Sequence, residues 1–204
     1  MKKLLITDLD GTIIQSMPVA WEFLNKVAKR NGKKLEKYAN YSSTLGLYIN
    51  IFQVFGFRAF KLLPRMRREM YLKKDQVNAY PGAIEALQSL HNNGWKVAIV
   101  TDNDDEYARV ILEQNGLLDH SWLEIHSAEV ETKVSLIVKV LRKYPDYYVY
   151  YASHDYKDFF MLDVAKLFAF KTAKKIFTPN EIDRFSLVQP HLTLAEFAKL
   201  YVDK

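Results

Sequence analysis

Short apolar runs, too brief to form helices, recur along the chain and predict buried strands. The clearest are Leu4–Ile6, Lys96–Thr101 and Tyr147–Ala152, and Trp122–Ile125 and Lys175–Thr178 are shorter candidates. The apolar character of the three main runs is nearly continuous rather than alternating. This pattern is typical of a parallel sheet that is covered on both faces.

Between these runs, apolar residues recur every three or four positions, which predicts helices. The predicted helices are Val19–Asn31, a helix opened by Tyr80-Pro81-Gly82 and closed by Asn93-Gly94, Asp104–Asn115, Val130–Lys143, Phe159–Phe168 and Leu192–Tyr201. In the second of these, Pro81 is expected in the first turn, where a proline is tolerated. In the last of these, Thr193 and Glu196 have the spacing of a capping box. Strands that alternate with helices predict an α/β fold with a parallel sheet and right-handed crossovers.

The segment from Leu35 to Lys74 does not follow this alternation. We expect helices there, separated near Gly56 and Pro64, that lie as an insertion over the carboxyl edge of the sheet. The predicted division is an α/β core of residues 1–15 and 80–204, with a helical cap of residues 16–79. The segment is dense in aromatic residues, namely Tyr38, Tyr41, Tyr48, Phe52, Phe55, Phe57, Phe60 and Tyr71.

The same segment is also strongly basic between residues 58 and 74. Its basic residues are Arg58, Lys61, Arg65, Arg67, Arg68, Lys73 and Lys74, against the single acid Glu69. Basic residues beside aromatic rings can bind single-stranded nucleic acid. We favour a different interpretation, in which the rings pack a small helical core and the charges coat its surface. Nucleic acid is therefore not an expected partner.

Composition narrows the classes of function. The chain has 204 residues, 49% of them hydrophobic, a formal net charge of +5 and no cysteine. Disulfides, thiolate metal sites and cysteine nucleophiles are thereby excluded. No stretch approaches the length of a membrane span, and the apolar run before Asp8 is too short for a signal peptide. We expect a soluble cytoplasmic protein, and both a monomer and a dimer are compatible with the sequence.

Two aspartates follow the first predicted strand directly. Asp8 stands at its carboxyl end, and Asp10 follows two residues later, before the turn residue Gly11. Ligands of open α/β sheets bind at this edge. Two carboxylates this close repel each other, so a proton or a cation must compensate. With Mg²⁺ offsetting the charge, one carboxylate can attack phosphorus, and the other can transfer protons.

The stretch Asp8-Leu9-Asp10-Gly11-Thr12 resembles the first motif of the haloacid dehalogenase-like superfamily, most of whose members are phosphatases. The resemblance implies a Rossmann-like core with an inserted helical cap. It also implies hydrolysis of a phosphomonoester, with Asp8 as nucleophile and metal ligand. Asp10 would be the general acid and base and would offer its backbone carbonyl to the metal.

Two further sites agree with this resemblance. Thr101 ends the second main strand and is followed by Asp102. A hydroxyl with nearby backbone N–H groups can hold phosphate oxygens, although a threonine there can also simply lead into a helix cap. Lys133, near the start of a helix, can neutralise Asp8 and the phosphate together, although a solvated lysine is the alternative. The family usually has a lysine at about this place, often followed by proline, where this chain has Val134.

The fourth site departs from the family's usual pattern of Gly-Asp followed by an aspartate about four residues later. Here the strand is followed by Ser153-His154-Asp155, and Asp158 comes next among the acids. Strict spacing from Asp158 puts His154 in the position of the first carboxylate. Because Mg²⁺ prefers oxygen ligands, we predict Asp155 and Asp158 as the metal pair. The alternative is a solvated acidic loop, with the metal bound only through Asp8, the Asp10 carbonyl and waters.

The sequence thus predicts a Mg²⁺-dependent phosphatase that acts on a small phosphorylated metabolite. The predicted metal ligands are Asp8, Asp10, Asp155 and Asp158, and the predicted phosphate-binding residues are Thr101, Asp102 and Lys133. A phosphomutase remains possible, whereas the acid at Asp10 argues against a dehalogenase. The rival hypothesis is a non-catalytic binding or regulatory protein whose metal site is degraded at Ser153-His154.

Overall fold

The apolar runs predicted as strands pair in one parallel sheet. The structure is a computed structural model and describes residues 1–35, 44–117, 121–128, 131–169, 173–177 and 193–202. Its strands are β1 (Lys3–Thr7), β2 (Lys96–Thr101), β3 (Glu124–Ser127), β4 (Tyr148–Ser153) and β5 (Ala173–Phe177). They lie in the order β3-β2-β1-β4-β5, and every pairing is parallel. The predicted α/β class is therefore confirmed.

Helices cover both faces of this sheet. They are α1 (Met17–Arg30), α2 (Thr44–Phe55), α3 (Ala59–Leu72), α4 (Ala83–Asn92), α5 (Asp105–Gln114), α6 (Lys133–Lys143), α7 (Tyr156–Ala169) and α8 (Leu194–Val202). Successive strand residues point to opposite faces. Leu5 packs on one side in the cluster that includes α4, α5 and α8, while Leu4 and Ile6 pack on the other side with α6 and α7. Burial on both faces explains why the strands are apolar throughout.

Two helices differ from the prediction, one in where it begins and the other in that it continues through a proline. Helix α4 begins at Ala83, after Pro81, because Gly82 precedes it in the left-handed conformation with φ 74°. Helix α3 continues through Pro64, so the predicted break there is wrong. Only one intrahelical hydrogen bond is lost at a proline, and the buried Leu62 and Met66 hold the helix on both sides of it. The predicted break near Gly56 is where α2 ends.

Five residues named in the predictions above lie outside the part of the chain that the structure describes. Val130, Thr178 and Leu192, which bound a predicted helix, strand and helix respectively, lie outside the described residues, as do Tyr38 and Tyr41.

Helices α1, α2 and α3 lie in sequence between β1 and α4, where the insertion was expected. The chain enters and leaves this segment at neighbouring positions, since the Gln15 backbone N–H donates to the Asn78 carbonyl at 2.8 Å. Ile14 also forms an antiparallel bridge with Ala79. The buried side chains of these helices belong to the same apolar cluster as Leu5 of the sheet. The division into core and cap stays a prediction.

The aromatic residues of this segment are only partly inside it. Phe55 is buried and Phe52 packs partly against the core, but Phe57 and Phe60 are 90% and 62% exposed. The interpretation that the rings fill a small core therefore holds for some of them and is wrong for Phe57 and Phe60. Among the residues described, no helix combines the length and the apolar character that crossing a membrane requires.

Candidate active site

Two aspartates follow the central strand β1 and lie at the carboxyl edge of the sheet. The backbone N–H of Asp8 still donates to the Ala152 carbonyl of β4 at 3.0 Å, so Asp8 continues the line of the strand. The chain then turns, and the Gly11 N–H donates to the Ile14 carbonyl at 2.7 Å. The ends of β2 and β4 meet β1 at the same edge because the strands are parallel. Residues that follow three different strands can therefore surround Asp8.

Lys133 is buried against Asp8. It is the first residue of α6, whose start is capped by the Thr132 hydroxyl accepting the Ser135 N–H at 3.2 Å. The lysine is only 3% exposed, and its Nζ donates to Asp8 Oδ1 at 2.9 Å and to Asp158 Oδ2 at 2.6 Å. A solvated lysine, the alternative considered from the sequence, is excluded by this burial.

The loop after β4 contributes a second carboxylate to the same lysine. The Ser153 hydroxyl donates to Asp158 Oδ2 at 2.8 Å, and the same hydroxyl oxygen accepts the Asp155 backbone N–H at 3.1 Å. Asp155 and Asp158 are 4% and 2% exposed. Both are buried parts of the site, so the loop that carries them is not solvated, and whether they hold the metal stays a prediction.

His154 lies beside Asp8, packed on the turn of Gly11. Its Nδ1 is 3.6 Å from Asp8 Oδ2 and 3.3 Å from the Thr12 hydroxyl, and its backbone N–H donates to that hydroxyl at 3.2 Å. Gly11 has φ +70°, and a Cβ at this position would lie only 2.6 to 2.8 Å from atoms of the imidazole ring. The ring therefore occupies space that only a glycine leaves open.

Asp10 is held by the loop that follows β2. The Asn103 side-chain amide donates to Asp10 Oδ2, and the Asn103 backbone N–H donates to the buried Thr101 hydroxyl at 3.1 Å. Asp10 Oδ1 and the Ser16 hydroxyl are buried without a hydrogen-bond partner among the residues described. Buried polar atoms are normally hydrogen-bonded, so these two atoms are suited to a ligand or a water.

These groups line one cavity of about 90 Å³ between the sheet edge and the helical insertion. Its lining consists of Asp8, Asp10, Ser16, Met17, Met66, Arg67, Met70, Asp102, Asn103, Lys133, His154, Asp155 and Asp158. Most of the lining carboxylates follow strands of the sheet, whereas the three methionines and Arg67 belong to α1 and α3. Thr101 lies behind this surface, where its hydroxyl positions Asn103.

Burial dominates the electrostatics of the site. It raises the pKa of Asp8 to about 8, because the neighbouring carboxylates of Asp158 and Asp10 add to the effect and Lys133 only partly opposes them. Burial also raises the pKa of Asp10, against the nearby Ser16 hydroxyl, which makes no regular hydrogen bond to it, and against Lys133 and Asn103. The pKa of Lys133 is raised although burial acts to lower it, since Asp8, Tyr151 and Asp158 favour its charge. Lys133 thus pairs with two carboxylates, Asp8 and Asp158, while Asp10 and Asp155 lie in the same site.

The raised pKa values show that the site resists the ionisation of its clustered carboxylates, which a cation would favour. Negative charge buried without full compensation is costly, so the site is suited to a divalent cation. However, within the described ranges no group of three or more histidine, aspartate or glutamate side chains is arranged to hold a metal ion. The Asp158 carboxylate is already engaged by Lys133, and the position beside Asp8 is taken by His154. The assignment of Asp155 and Asp158 as the metal pair stays a prediction.

The structure therefore brings the predicted site residues to one place, with Thr101 just behind the cavity. Sequence reasoning missed Ser16, Asn103 and Arg67 as parts of the site. Asn103 follows two predicted site residues directly and could have been included on that ground. Ser16 and Arg67 carry no motif, and only the folded insertion brings them to the cavity.

A sequence model of the haloacid dehalogenase-like hydrolase family matches residues 5–145, well over half of the chain. A phosphoglycolate phosphatase from Cereibacter sphaeroides is 28% identical over 125 residues, which are 56% of this chain and 57% of that protein. The chain thus matches little more than half the length of this curated relative.

Solved structures resemble the whole chain. A haloacid dehalogenase-like family hydrolase from Streptococcus pneumoniae has a TM-score of 0.74 at 15% identity and covers 98% of both chains. A predicted phosphoglycolate phosphatase from Haemophilus somnus 129pt has a TM-score of 0.72 at 18% identity, over 98% of this chain and 97% of that chain. At such identities the likeness shows the fold alone.

Proposed function

Because the chain belongs to the haloacid dehalogenase-like hydrolase family, we propose that it is a phosphatase that hydrolyses a small phosphomonoester through a phosphorylated Asp8. The observation that carries this proposal is the buried Asp8 carboxylate, 2.9 Å from the Lys133 ammonium at the carboxyl end of the central strand. The name of the Cereibacter sphaeroides relative makes phosphoglycolate one substrate to test.

The reaction has two steps at phosphorus. A carboxylate oxygen of Asp8 attacks the phosphorus, and the bond from phosphorus to the alcohol oxygen breaks. The departing alkoxide takes a proton from Asp10 and leaves as the alcohol. Water then attacks the phosphorus of the aspartyl phosphate and gives a proton to the Asp10 carboxylate. The bond from phosphorus to Asp8 breaks, and inorganic phosphate leaves.

Asp10 is suited to carry this proton. A general acid must hold a proton when the substrate binds and release it to the leaving group. Burial raises the pKa of Asp10, which favours the protonated form. The Asn103 amide fixes one carboxyl oxygen of Asp10, and the other oxygen has no hydrogen-bond partner among the described residues. That second oxygen is the one we assign to proton transfer.

The phosphoryl group is bound, in this proposal, by the residues around Asp8. The Lys133 ammonium reduces the negative charge that Asp8 and the phosphoryl oxygens bring together. The loop at Thr101 and Asp102 would contribute backbone N–H groups, because a further carboxylate would repel the phosphate. Asp102 and Asn103 line the cavity, which supports this assignment.

We propose Mg²⁺ as the divalent cation of the site. Asp8 and Asp10 would hold it, together with Asp155 and Asp158. Bound there, it would offset the repulsion between the Asp8 carboxylate and the anionic substrate. Asp155 also lines the cavity, which supports its place in the set.

Calorimetric titration of Mg²⁺ into three variants tests this ligand set. We expect Asp155→Ala to weaken Mg²⁺ binding about tenfold, equivalent to ~1.4 kcal/mol, because a charged oxygen ligand is lost. Asp158→Ala should weaken binding less. His154→Ala should stay within about threefold, or ~0.7 kcal/mol, because imidazole is a poor ligand for Mg²⁺. A strong effect of His154→Ala beside a silent Asp155→Ala would assign the position to the histidine instead.

The proposed reaction is tested with p-nitrophenyl phosphate and a panel of phosphorylated metabolites, in the presence of Mg²⁺. Asp8→Asn should abolish turnover, whereas Asp10→Asn should lower it strongly and still allow metal binding. Acid quenching of the wild type during turnover should yield protein heavier by one phosphoryl group. The same treatment of Asp8→Asn should yield unmodified protein. Wild-type activity in the Asp8→Asn variant would disprove the mechanism.

A non-catalytic binding protein is the second candidate, and the position of His154 beside Asp8 is the observation that favours it. That protein would bind phosphate or a phosphomonoester at Lys133 without turnover. Failure of the wild type to hydrolyse any member of the panel, combined with calorimetric binding of inorganic phosphate, would support this second function.

A further inference from the structure

Helix α3 turns one face towards the cavity above Asp8. Met66 and Met70 are one helical turn apart and buried, and Arg67 lies beside Met66 at the exposed edge of the same face. All three line the cavity, together with Met17 of α1. Helices α1 and α3 therefore contribute flexible thioether side chains and one guanidinium group to the cavity lining.

Arg67 is a cation without a partner in the part of the chain that the structure describes, since it makes no hydrogen bond or ion pair there. Lys133, which lines the same cavity, is already ion-paired with Asp8 and Asp158. Arg67 is therefore the cation of the described cavity lining that is available to a second anionic group.

Lys133 and Arg67 come from different helices, α6 and α3, so each can bind a different end of a substrate. The reacting phosphoryl group must lie at Asp8, beside Lys133, on the sheet side of the cavity. Arg67 lines the same cavity but belongs to α3, an element that carries none of the residues assigned to the phosphoryl group, so we place the alcohol part of the substrate near Arg67. A cavity of about 90 Å³ leaves room for an alcohol part of only a few atoms.

The chemistry of the guanidinium group limits which anionic groups of a substrate Arg67 can bind well. Its planar fork of donors matches the two oxygens of a carboxylate in a bidentate pair. A second phosphate would also pair with arginine, but it is bulkier than a carboxylate in a small cavity. Methionine side chains adapt to short apolar groups without offering strong hydrogen bonds.

We propose that Arg67 binds a carboxylate on the alcohol part of the substrate, so that the substrate class is short phosphorylated hydroxy acids. This inference rests on the proposed phosphatase function. The residue would contribute to binding and orientation rather than to the chemical steps.

The test compares two substrates that differ at this carboxylate, phosphoglycolate and ethyl phosphate. The variants are Arg67→Met, Arg67→Lys and the matched control Arg68→Met, because Arg68 is exposed on the same helix but does not line the cavity. We expect the wild type to favour phosphoglycolate by at least about tenfold in kcat/KM, or ~1.4 kcal/mol.

Arg67→Met should remove this preference mainly by raising KM for phosphoglycolate, while its kcat/KM for ethyl phosphate stays within about twofold. Arg67→Lys should retain part of the preference, because the charge remains and the fork is lost. Arg68→Met should behave as the wild type. Circular dichroism of each variant establishes that the fold is intact.

Three results would overturn the inference. Equal losses with both substrates in Arg67→Met would place Arg67 at the phosphoryl group. Equal wild-type efficiency with both substrates would remove the carboxylate preference and leave the proposed phosphatase intact. If the wild type hydrolyses neither substrate, the inference fails. In that case the proposed function fails as well only if p-nitrophenyl phosphate and the wider panel are also not hydrolysed.

Discussion

At the scale of single residues, the surroundings of Asp8 disfavour the ionised form of its side chain. Burial and the carboxylates of Asp158 and Asp10 raise its pKa to about 8. The folded protein therefore holds a proton at Asp8 that the unfolded chain releases near 3.8, the ordinary pKa of an aspartate. Between these two values the folded state binds more protons, so its stability falls as the pH rises.

We predict that Asp8→Asn is more stable than the wild type at pH 8 in metal-free buffer. Because the asparagine amide never ionises, the difference should be largest at pH 8 and should shrink towards pH 4. A rise in Tm of at least ~2 °C corresponds to about 1 kcal/mol in a chain of this size. Thermal unfolding across this pH range measures the effect. A variant that is less stable than the wild type at every pH would contradict this account of Asp8.

Gly11 and His154 form a second residue-scale pair, since a Cβ on Gly11 would lie 2.6 to 2.8 Å from the ring of His154. Gly11→Ala should destabilise the protein by about 1–3 kcal/mol, through the positive φ and through this clash. His154→Ala removes the clash but leaves the backbone strain. A double-mutant cycle in urea should therefore show that the double variant recovers part of the loss. Strict additivity of the two changes would show that the ring moves aside freely.

At the scale of elements, the start of α6 fixes the position of Lys133. The Thr132 hydroxyl accepts the Ser135 N–H at 3.2 Å. Loss of such a cap costs about 1 kcal/mol. We predict that Thr132→Ala lowers both the free energy of unfolding and kcat/KM, because the lysine is the first residue of the capped helix. Urea denaturation and steady-state kinetics measure the two effects.

Helix α8 provides the control for this prediction. The Thr193 hydroxyl accepts the Glu196 N–H at 3.1 Å, and the Glu196 carboxylate accepts the Thr193 N–H at 2.8 Å. Thr193→Ala should cost a similar free energy of unfolding. It should leave kcat/KM unchanged, because α8 does not line the cavity above Asp8. Equal kinetic losses in both variants would show that general stability, rather than the position of Lys133, limits activity.

The elements themselves were largely predictable, because each depends on local chemistry. The apolar runs at β1, β2 and β4 are long enough to identify buried strands. The predicted helix break at Pro64 was wrong, because the packing of α3 against the core outweighs the loss of one hydrogen bond. The start of α4 was predicted at Pro81 rather than at Ala83, because the sequence does not show that Gly82 adopts the left-handed conformation and so precedes the helix.

The site was predictable as far as its residues follow strands directly. Asp8, Asp102 and Asp155 lie at the carboxyl edge for this reason, and the family match covers the first two but ends at residue 145. Which of His154 and Asp155 approaches Asp8 depends on how the loop after β4 packs on Gly11. Arg67 comes from the inserted helix, so its arrival depends on long-range packing that no local pattern encodes.

At the scale of the whole molecule, α8 covers the same face of the sheet as α4 and α5. Phe197 is fully buried, and its ring lies 5.5 Å from that of Trp95 and 5.4 Å from that of Tyr150, between ring centroids. The last described helix thus packs on β4 and on the residue that precedes β2. These strands also carry site residues at their other ends.

We predict that Phe197→Ala lowers the free energy of unfolding by about 3–5 kcal/mol, as expected for a large ring removed from a packed core. The matched control is Leu200→Ala in the same helix, where the side chain is 44% exposed. That change should stay within about 0.5 kcal/mol. Urea denaturation measures both. Similar small effects in the two variants would mean that α8 contributes little to the stability of the sheet.

The adjacent entry and exit of the helical insertion have an evolutionary consequence. Since the backbones of Gln15 and Asn78 are hydrogen-bonded to each other, the intervening segment can be lengthened, shortened or exchanged without moving β1 or α4. The entropy of closing such a segment grows only slowly with length, by about 0.6 kcal/mol per doubling. A recombined gene can therefore bring a new helical insertion to an unchanged carboxyl edge of the sheet. The incoming segment has to supply its own apolar side chains to the shared core.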